Sequence, residues 1–474
     1  MAVGLPDKRP KTGIVHLGLG AFFRAFGCVY VEDAMALSGG DWGIVGVSLR
    51  SPAVRDALQG QNWAYTSVTL GADGAIPRVI NVLNDVLVAP EDPQDVLDVM
   101  ASEDTKIVSL TVTEKGYCHH PSTGALNVDH GDIQHDLTHS APRSALGFLV
   151  RALQMRHQDG LRPFTVLTCD NLPKNGQLLR GLVLEMAMLI DPELASWIAS
   201  EGRFPCTMVD RITPATTQAD IDRLAALGHD DAAPVMHEPF SQWAIEDSFV
   251  DTCRPDFAAA GAELVADVTA HEDMKLRMLN GTHSALAYAG YLGGHQTIAA
   301  TVADPVYAAY VRALWAEIAP TVVAPQGVDL AAYATALFDR YANPNIHHRT
   351  WQIAMDGSQK LPQRMLGTLQ DTHQAGRDAP MLCVAIAAWM RYVGGVDEQG
   401  QPIEVVDPMA AQLRALSDAQ QTPQDVVSAL LSVREIFPKD AAERLTTPVS
   451  RAAQALWTKG VRAAIEEQLE SAKC

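Results

Sequence analysis

The stretch Ile14-Val15-His16-Leu17-Gly18-Leu19-Gly20 decides the fold at the beginning of this 474-residue chain. A short apolar run breaks at two glycines, and apolar residues then recur at helical spacing as far as Leu37. Gly39 and Gly40 end that segment, and residues 42–49 (WGIVGVSL) form a second apolar run. Strand, glycine turn, helix and strand make a βαβ unit. We therefore predict an α/β, Rossmann-like domain with a parallel sheet.

The glycine turn is typical of dinucleotide binding. Two glycines after a strand let the backbone approach a pyrophosphate, which the N-terminus of the following helix attracts. Phe23 stands where the usual third glycine would be, so we expect it to hold the helix further from the sheet. Candidate cofactor-binding residues around this turn and at the neighbouring strand ends are Gly18, Gly20, Phe22, Phe23, Arg24, Arg50, Thr113 and Glu114.

The type of nucleotide is open. No acid follows the second strand where a ribose hydroxyl would be held; the first carboxylate is Asp56. Arg50 or Arg55 would tolerate a 2′-phosphate, or both are simply solvated surface. We expect NAD, with NADP not excluded.

Polar residues follow two further predicted strands, 106–113 and 164–168. Asn171 comes after the second of these, and its amide would point at a substrate oxygen or cap a turn. Asp210 and Arg211 lie within another apolar run, where they form an ion pair or line the substrate site.

After about residue 270 the composition changes to helix-forming, alanine- and leucine-rich segments. The longest are residues 275–292, 306–318, 330–341, 380–393 and 452–469. We therefore predict two domains: residues 1–270 bind the nucleotide, and residues 271–474 form a mostly α-helical substrate and catalytic domain.

The segment KLRMLNGTHS (275–284) carries the chemistry of that second domain. At about 100° per residue, Asn280 and His283 fall about 140° and about 80° from Lys275, on one side of a helix. Oxidising an alcohol by hydride loss needs a proton acceptor, and burial lowers the pKa of a lysine toward neutrality. Amide donors stabilise the developing alkoxide. The alternative is a solvated helix face.

The polar segment 348–364 holds the cations Arg349, Lys360 and Arg364. In a chain of net charge -20 such a concentration favours binding of an anionic substrate group, although a solvated loop has the same composition.

Composition excludes several classes of function. A net charge of -20 disfavours nucleic-acid and membrane-surface binding. Seven scattered cysteines do not form a disulfide framework, and no His/Cys cluster has zinc-ligand spacing. The polar first thirteen residues lack the apolar core of a signal peptide. We expect a soluble, cytoplasmic, metal-independent protein, and no predicted coiled coil argues against a monomer.

Together the segments HLGLGAFFRA (16–25), IVSLTVTEKGYC (107–118), FTVLTCDNLPKNG (164–176), PCTMVDRITPATT (205–217), KLRMLNGTHS (275–284) and HHRTWQIAMDGSQKLPQR (347–364) resemble the long-chain, polyol-specific dehydrogenases of the mannitol dehydrogenase family. Within it the chain looks most like the branch that interconverts the sugar acids D-fructuronate and D-mannonate. In one departure, Phe23 and Phe26 stand where relatives usually have histidines.

The resemblance implies a zinc-independent, NAD(H)-using secondary alcohol dehydrogenase. It implies Lys275 as catalytic acid/base, Asn171 and Asn280 as amides that polarise the carbonyl, His283 at a substrate hydroxyl and Asp210 on the substrate side. The alternatives are a mannitol or arabinitol dehydrogenase, a non-catalytic NAD(H)-binding sensor and, more remotely, a methyltransferase.

Overall fold

The computed structural model describes residues 9–120 and 123–471. Of the polar N-terminal stretch, the first eight residues lie outside this description, as does Cys474. The chain divides into two compact units, residues 1–269 and residues 270–474. Across the described ranges, no helix combines the length and the apolar character that a membrane span requires.

The first unit is built on a parallel sheet. The strands of the whole unit are β1 Thr12–Leu17, β2 Gly43–Ser48, β3 Tyr65–Gly71, β4 Gly74–Ile80, β5 Leu83–Val88, β6 Ile107–Leu110, β7 Thr165–Thr168, β8 Thr207–Asp210, β9 Val235–His237, β10 Gln242–Glu246 and β11 Glu263–Val265. Five of them form one sheet in the order β5-β2-β1-β6-β7, with every neighbouring pair parallel. The predicted Rossmann-type sheet is confirmed.

Two three-stranded sheets complete the first unit, in the orders β11-β10-β8 and β4-β3-β9. In the first, β8 is antiparallel to β10; in the second, β3 pairs antiparallel with β4 and parallel with β9. The helices of this unit are α1 Ala21–Ala25, α2 Gly27–Ser38, α3 Ala53–Gln59, α4 Pro93–Ala101, α5 Gly131–Thr138, α6 Ala145–Gln158, α7 Asn175–Ile190, α8 Pro192–Glu201 and α9 Gln218–Ala226, with 3₁₀ turns at Glu114–Tyr117 and Val250–Thr252.

The second unit is helical. Its helices are α10 Thr269–Met274 (beginning at the last residue of the first unit), α11 Thr282–Leu292, α12 Ile298–Ala303, α13 Pro305–Ile318, α14 Leu330–Ala342, α15 Thr350–Ala354, α16 Gly357–Leu361, α17 Gly367–Gln374, α18 Pro380–Val393, α19 Ala410–Asp418, α20 Pro423–Leu431, α21 Lys439–Lys459 and α22 Val461–Ser471, with π-helical turns at Lys275–Gly281 and Pro362–Leu366 and a 3₁₀ turn at Ala319–Thr321. Helix α18 is central, because twelve of its fourteen residues are buried. The helical C-terminal half predicted from composition is confirmed.

One predicted helix is divided in two. The segment 452–469 spans the end of α21 and most of α22, which meet at Gly460 with φ 87°. That left-handed conformation suits glycine and ends α21, which composition alone did not reveal.

Candidate functional site

The glycine turn after β1 is held against the end of β6. Gly18 has φ 88°, and a Cβ there would lie 2.3 Å from the carbonyl oxygen of Thr111. The Gly18 N–H donates to Val47 O (2.8 Å), and the Thr111 hydroxyl donates to Gly18 O (2.9 Å). A Cβ at Gly20 would meet nothing closer than 3.8 Å. The turn therefore requires glycine at position 18, and its backbone is fixed by both neighbouring strands.

Phe23 packs inward from this turn. Its ring is 1% exposed and stacks on His16, with centroids 3.3 Å apart and planes inclined by 5°. The His16 ring also hydrogen-bonds the hydroxyls of Ser109 (2.8 Å) and Thr111 (2.9 Å), and burial lowers its pKa to about 3, so the ring is neutral. The ring of Phe23 fits because residue 27 is glycine: a Cβ there would lie 2.2 Å from it.

The side chains of Phe23 and Arg24, two of the predicted cofactor-binding residues, both point into the first unit. Arg24 is 7% exposed, donates to Ala233 O at 2.6 Å and lies 5.3 Å over the ring of Tyr65. Burial lowers the pKa of its guanidinium. Only the backbone of these two residues is left for a nucleotide. Phe22 is half-buried and stacks on Phe26 at 5.0 Å.

The loops that follow β6 and β7 are joined by Asp170, which sequence analysis did not single out. Its carboxylate accepts from Val112 N (3.0 Å), Thr113 N (2.9 Å) and the Tyr117 hydroxyl (3.0 Å). These bonds end β6 at Leu110, three residues before the predicted end, and hold Thr113 at φ 64°. Burial raises the pKa of Asp170, against the effect of those donors. Thr113, Glu114 and Asn171 are consequently exposed on the surface of the first unit. They follow the ends of β6 and β7, which are neighbours in the sheet.

The arginines after β2 differ from each other. Arg50 is exposed, whereas Arg55 forms ion pairs with Asp56 and Glu91. Arg50 therefore remains the candidate for contact with a nucleotide 2′ group.

Asp210 ends β8 and is 4% exposed. The predicted ion pair with Arg211 is wrong: that guanidinium donates to the carbonyl oxygens of Phe240 (3.1 Å) and Ala25 (2.6 Å). Its burial lowers its pKa, and backbone oxygens replace a carboxylate as its partners.

In the second unit, Lys275 and Asn280 lie at the two ends of a π-helical turn, not on a regular α-helix. A π-helix bonds i to i+5, so residues five apart lie closer together around the helix axis than they do in an α-helix. The angle of about 140° expected between them is therefore wrong, and the wider turn brings them to one side. Lys275 and His283 are each 8% exposed, and Asn280 is half-buried.

Side chains from distant parts of the second unit fix this turn by its carbonyl groups. Trp315 donates to Met278 O (3.0 Å), and Tyr341 donates to Leu279 O (2.9 Å). Arg364 reaches the next carbonyl, Asn280 O, at 3.5 Å. Three successive carbonyl oxygens thus have side-chain donors.

His283, which is buried, and His348, which is half-buried, form a pair beside the turn. Their rings are 4.5 Å apart at 70°. Within the described ranges, His283 Nε2 and His348 Nδ1 are buried without a hydrogen-bond partner. Burial, then the charges of neighbouring cations, holds the pKa of His283 well below its usual value; burial and Arg340 lower that of His348 to about 4. Two neutral imidazoles with unused nitrogens are suited to hydrogen-bond hydroxyl groups.

The three predicted cations take different positions. Arg349 is exposed. Lys360 donates to Met355 O at 2.6 Å, and burial lowers its pKa to about 8. Arg364 is half-buried and donates through Nη1 to the Ser284 hydroxyl at 2.9 Å. Arg340, which sequence analysis treated only as part of a helix, is 8% exposed and completes the cationic surroundings of His283.

No group of three or more His, Cys, Asp or Glu side chains in the described part of the chain is arranged to hold a metal ion. Six of the cysteines, all within that part, are free thiols.

Comparison with known proteins identifies the family. Residues 12–258 match the model of the mannitol dehydrogenase Rossmann domain, and residues 267–457 match that of the mannitol dehydrogenase C-terminal domain. This chain belongs to the mannitol dehydrogenase family. It is accordingly an oxidoreductase.

Members of the mannitol dehydrogenase family with different substrates resemble the chain to a similar degree. It is 46% identical to D-mannonate oxidoreductase of Escherichia coli, over 97% of each protein. It is 42% identical to a mannitol 2-dehydrogenase of Aspergillus fumigatus, over 91% of this chain and 87% of that one. The structure of Pseudomonas fluorescens mannitol 2-dehydrogenase in a ternary complex with NAD and D-mannitol has 38% identity and a TM-score of 0.86, covering 99% of this chain and 96% of that one.

Proposed function

We propose that this protein is an NAD(H)-dependent secondary alcohol dehydrogenase that interconverts D-fructuronate and D-mannonate. The observation that carries the choice of a sugar acid is Arg364, a half-buried guanidinium beside the π-helical turn of Lys275 and Asn280. The resemblance to D-mannonate oxidoreductase supports the same substrate.

The glycine turn fits a dinucleotide. Gly18 adopts a conformation that a side chain would block, and Gly20 leaves open space at the N-terminus of the helical segment. We assign Gly18, Gly20 and the backbone of Phe22 to the pyrophosphate side, and Thr113, Glu114 and exposed Arg50 to the remainder of the nucleotide. NAD, bound in the related mannitol 2-dehydrogenase, would supply the hydride acceptor.

We assign the proton transfer to Lys275. Its side chain is 8% exposed, and burial is the physical effect that lets an ammonium release its proton near neutral pH. In the oxidative direction Nζ accepts the hydroxyl proton of the substrate, and in reduction it returns it. Asn171 and Asn280 donate amide N–H groups to the oxygen that gains charge.

The substrate's remaining groups are assigned by charge. His283, neutral and with Nε2 unused within the described residues, takes a hydroxyl group, and Asp210 accepts from another. Arg364 takes the carboxylate, because its guanidinium retains donors beyond the Nη1 bond to Ser284. Lys360, already bonded to a backbone carbonyl, has a supporting role.

The test is NADH oxidation at 340 nm with D-fructuronate and, in parallel, D-fructose, each repeated with NADPH. We expect turnover of D-fructuronate with NADH. Turnover of D-fructose alone would instead favour a polyol dehydrogenase, in line with the mannitol 2-dehydrogenase relatives. No turnover of either would leave the non-catalytic NAD(H)-binding role.

Arg364→Leu tests whether this arginine binds the substrate carboxylate, independently of whether the protein is a dehydrogenase. A hydrogen bond to a charged group contributes about 1.5–3 kcal/mol, so we expect kcat/KM for D-fructuronate to fall by about 10- to 150-fold. The value for D-fructose should change less than about threefold. Arg462→Leu, at an exposed arginine of the same unit outside the segment 348–364, is the matched control. Equal losses on both sugars would refute the role of Arg364.

A further inference from the structure

A recess lies within the helical unit. It has a volume of about 890 Å³, in the range of small-molecule sites, and is formed by α17, α18, α21, α22 and the π-helical turn Pro362–Leu366. We refer to it as the arginine groove. The buried apolar residues of its lining, which we call the floor, include Leu366, Leu369, Cys383, Ile436 and Leu445.

Four arginines surround this floor: Arg377, Arg434, Arg444 and Arg451. Arg444 pairs with Asp440 at 2.5 Å, whereas Arg377 and Arg434 donate to backbone carbonyl oxygens. Among the described residues, Arg377, Arg434 and Arg451 form no ion pair. The acids that line the groove are Asp378, Glu435 and Asp440.

The lining is therefore more cationic than the chain around it. Its four arginines outnumber its three acids, in a protein of net charge -20. Guanidinium groups without carboxylate partners favour carboxylates and phosphates, and the apolar floor favours a hydrocarbon body.

The groove shares a structural element with the candidate site. Pro362 and Leu366 line the groove, while Arg364 of the same short turn donates to Ser284 and approaches Asn280 O. The backbone is close as well, since a Cβ at Gly281 would lie 2.8 Å from Arg364 O. A molecule that displaces Pro362 or Leu366 consequently displaces Arg364.

We propose that the arginine groove binds a soluble amphipathic organic anion and that its occupation changes the KM for the sugar substrate through the Pro362–Leu366 turn. The apolar body lies on the floor, and a carboxylate or phosphate meets the arginines. The binding itself is independent of the proposed function; only the effect on KM rests on it.

Binding is tested with 8-anilinonaphthalene-1-sulfonate, an aromatic anion whose fluorescence rises in apolar surroundings. It is titrated into the full-length protein with saturating NAD⁺, which keeps the probe from the nucleotide site. The double variant R377Q/R451Q removes two cations of the rim, and A441W fills the groove without altering its charge. We expect each to raise the Kd at least tenfold. R462Q, at an exposed arginine of the same unit outside the groove, should leave it within twofold.

The coupling is tested with decanoate and 1-decanol, which share an apolar chain and differ in charge. Decanoate should change the KM of the wild type for D-fructuronate at least twofold and that of A441W not at all, while 1-decanol should have no effect. An equal Kd for the probe in the wild type and all variants would overturn the site. Self-association of the wild type that A441W abolishes would also overturn it, because a second copy of the chain would then occupy the groove. If the protein turns over no sugar, the proposed function fails while the fluorescence titration still decides the groove.

Discussion

Tyr341→Phe removes one oxygen atom from the support of the turn that carries Lys275 and Asn280. The hydroxyl donates to Leu279 O at 2.9 Å, and the side chain is 3% exposed. Phenylalanine keeps the ring in place, so the change removes only what the hydroxyl contributes.

The magnitude follows from the burial of this bond. A buried carbonyl that loses its donor costs about 1–3 kcal/mol, and 1 kcal/mol shifts the Tm of a unit this size by about 2–4 °C. We expect a decrease in Tm of roughly 2–12 °C. Because the loosened turn displaces Lys275 and Asn280, to which we assign contact with the substrate, kcat should fall by about 10- to 100-fold.

The control is Tyr310→Phe. The Tyr310 hydroxyl donates to Met381 O at 3.1 Å, and its side chain is 0% exposed, so this hydrogen bond holds α18 instead of the π-helical turn. Thermal unfolding and steady-state kinetics are measured on both variants with the best sugar substrate. Both should lose similar Tm, and only Tyr341→Phe should lose kcat. Equal kinetic losses in the two variants would refute the claim that the hydroxyl of Tyr341 acts by holding the turn.

Three further results are expected. Gly18→Ala should weaken nucleotide binding at least tenfold in a fluorescence titration, because its Cβ would meet Thr111 O at 2.3 Å, while Gly228→Ala, also at φ 88° but with nothing within 4 Å, should not. The pKa of His16 is about 3 in the folded protein and 6.5 in the unfolded chain, so the unfolded chain binds its proton first as the pH falls. His16→Gln should therefore lessen the acid-induced loss of the free energy of unfolding by about 1.4 kcal/mol per pH unit in that window, as measured by denaturant titration. Burial raises the pKa of Glu317 from 4.5 to about 7, so between these pH values the folded protein retains a proton that the unfolded chain releases. The Tm of Glu317→Gln should therefore rise relative to that of the wild type as the pH increases from 4.5 to 7. A difference in Tm between the two proteins that stays constant over this range would contradict the prediction.

The central sheet could be predicted from sequence because its signals are local. Buried parallel strands are continuous apolar runs, and β1, the glycine turn and β2 follow one another within residues 12–48. The sheet β4-β3-β9 was not predicted. Strand β4 contains Pro77 and Arg78 and exposes alternate residues, and β9 joins β3 from more than 150 positions away along the chain.

The residue types of the candidate site were visible in the sequence, but their geometry was not. Lys275, Asn280 and His283 were placed on an α-helix because the helical period is the default for such a segment. The π-helical turn depends on donors far along the chain, Trp315 and Tyr341, which no local pattern connects to it. Arg24 shows that a local pattern can also suggest a contact that the fold does not favour. An arginine beside a nucleotide turn suggests contact with an anion, yet this side chain lies over the ring of Tyr65 and donates to Ala233 O.

The π-helical turn also constrains how this segment can change over time. Loss of one residue between Lys275 and Asn280 would allow a regular α-helix to form, and every following position of α11 would rotate by about 100° and move by about 1.5 Å. His283 would then leave His348, although every side chain of the site would still be encoded. Substitutions here can be compensated one at a time, whereas a change in length cannot, so the number of residues in the turn is itself part of what the sequence must preserve.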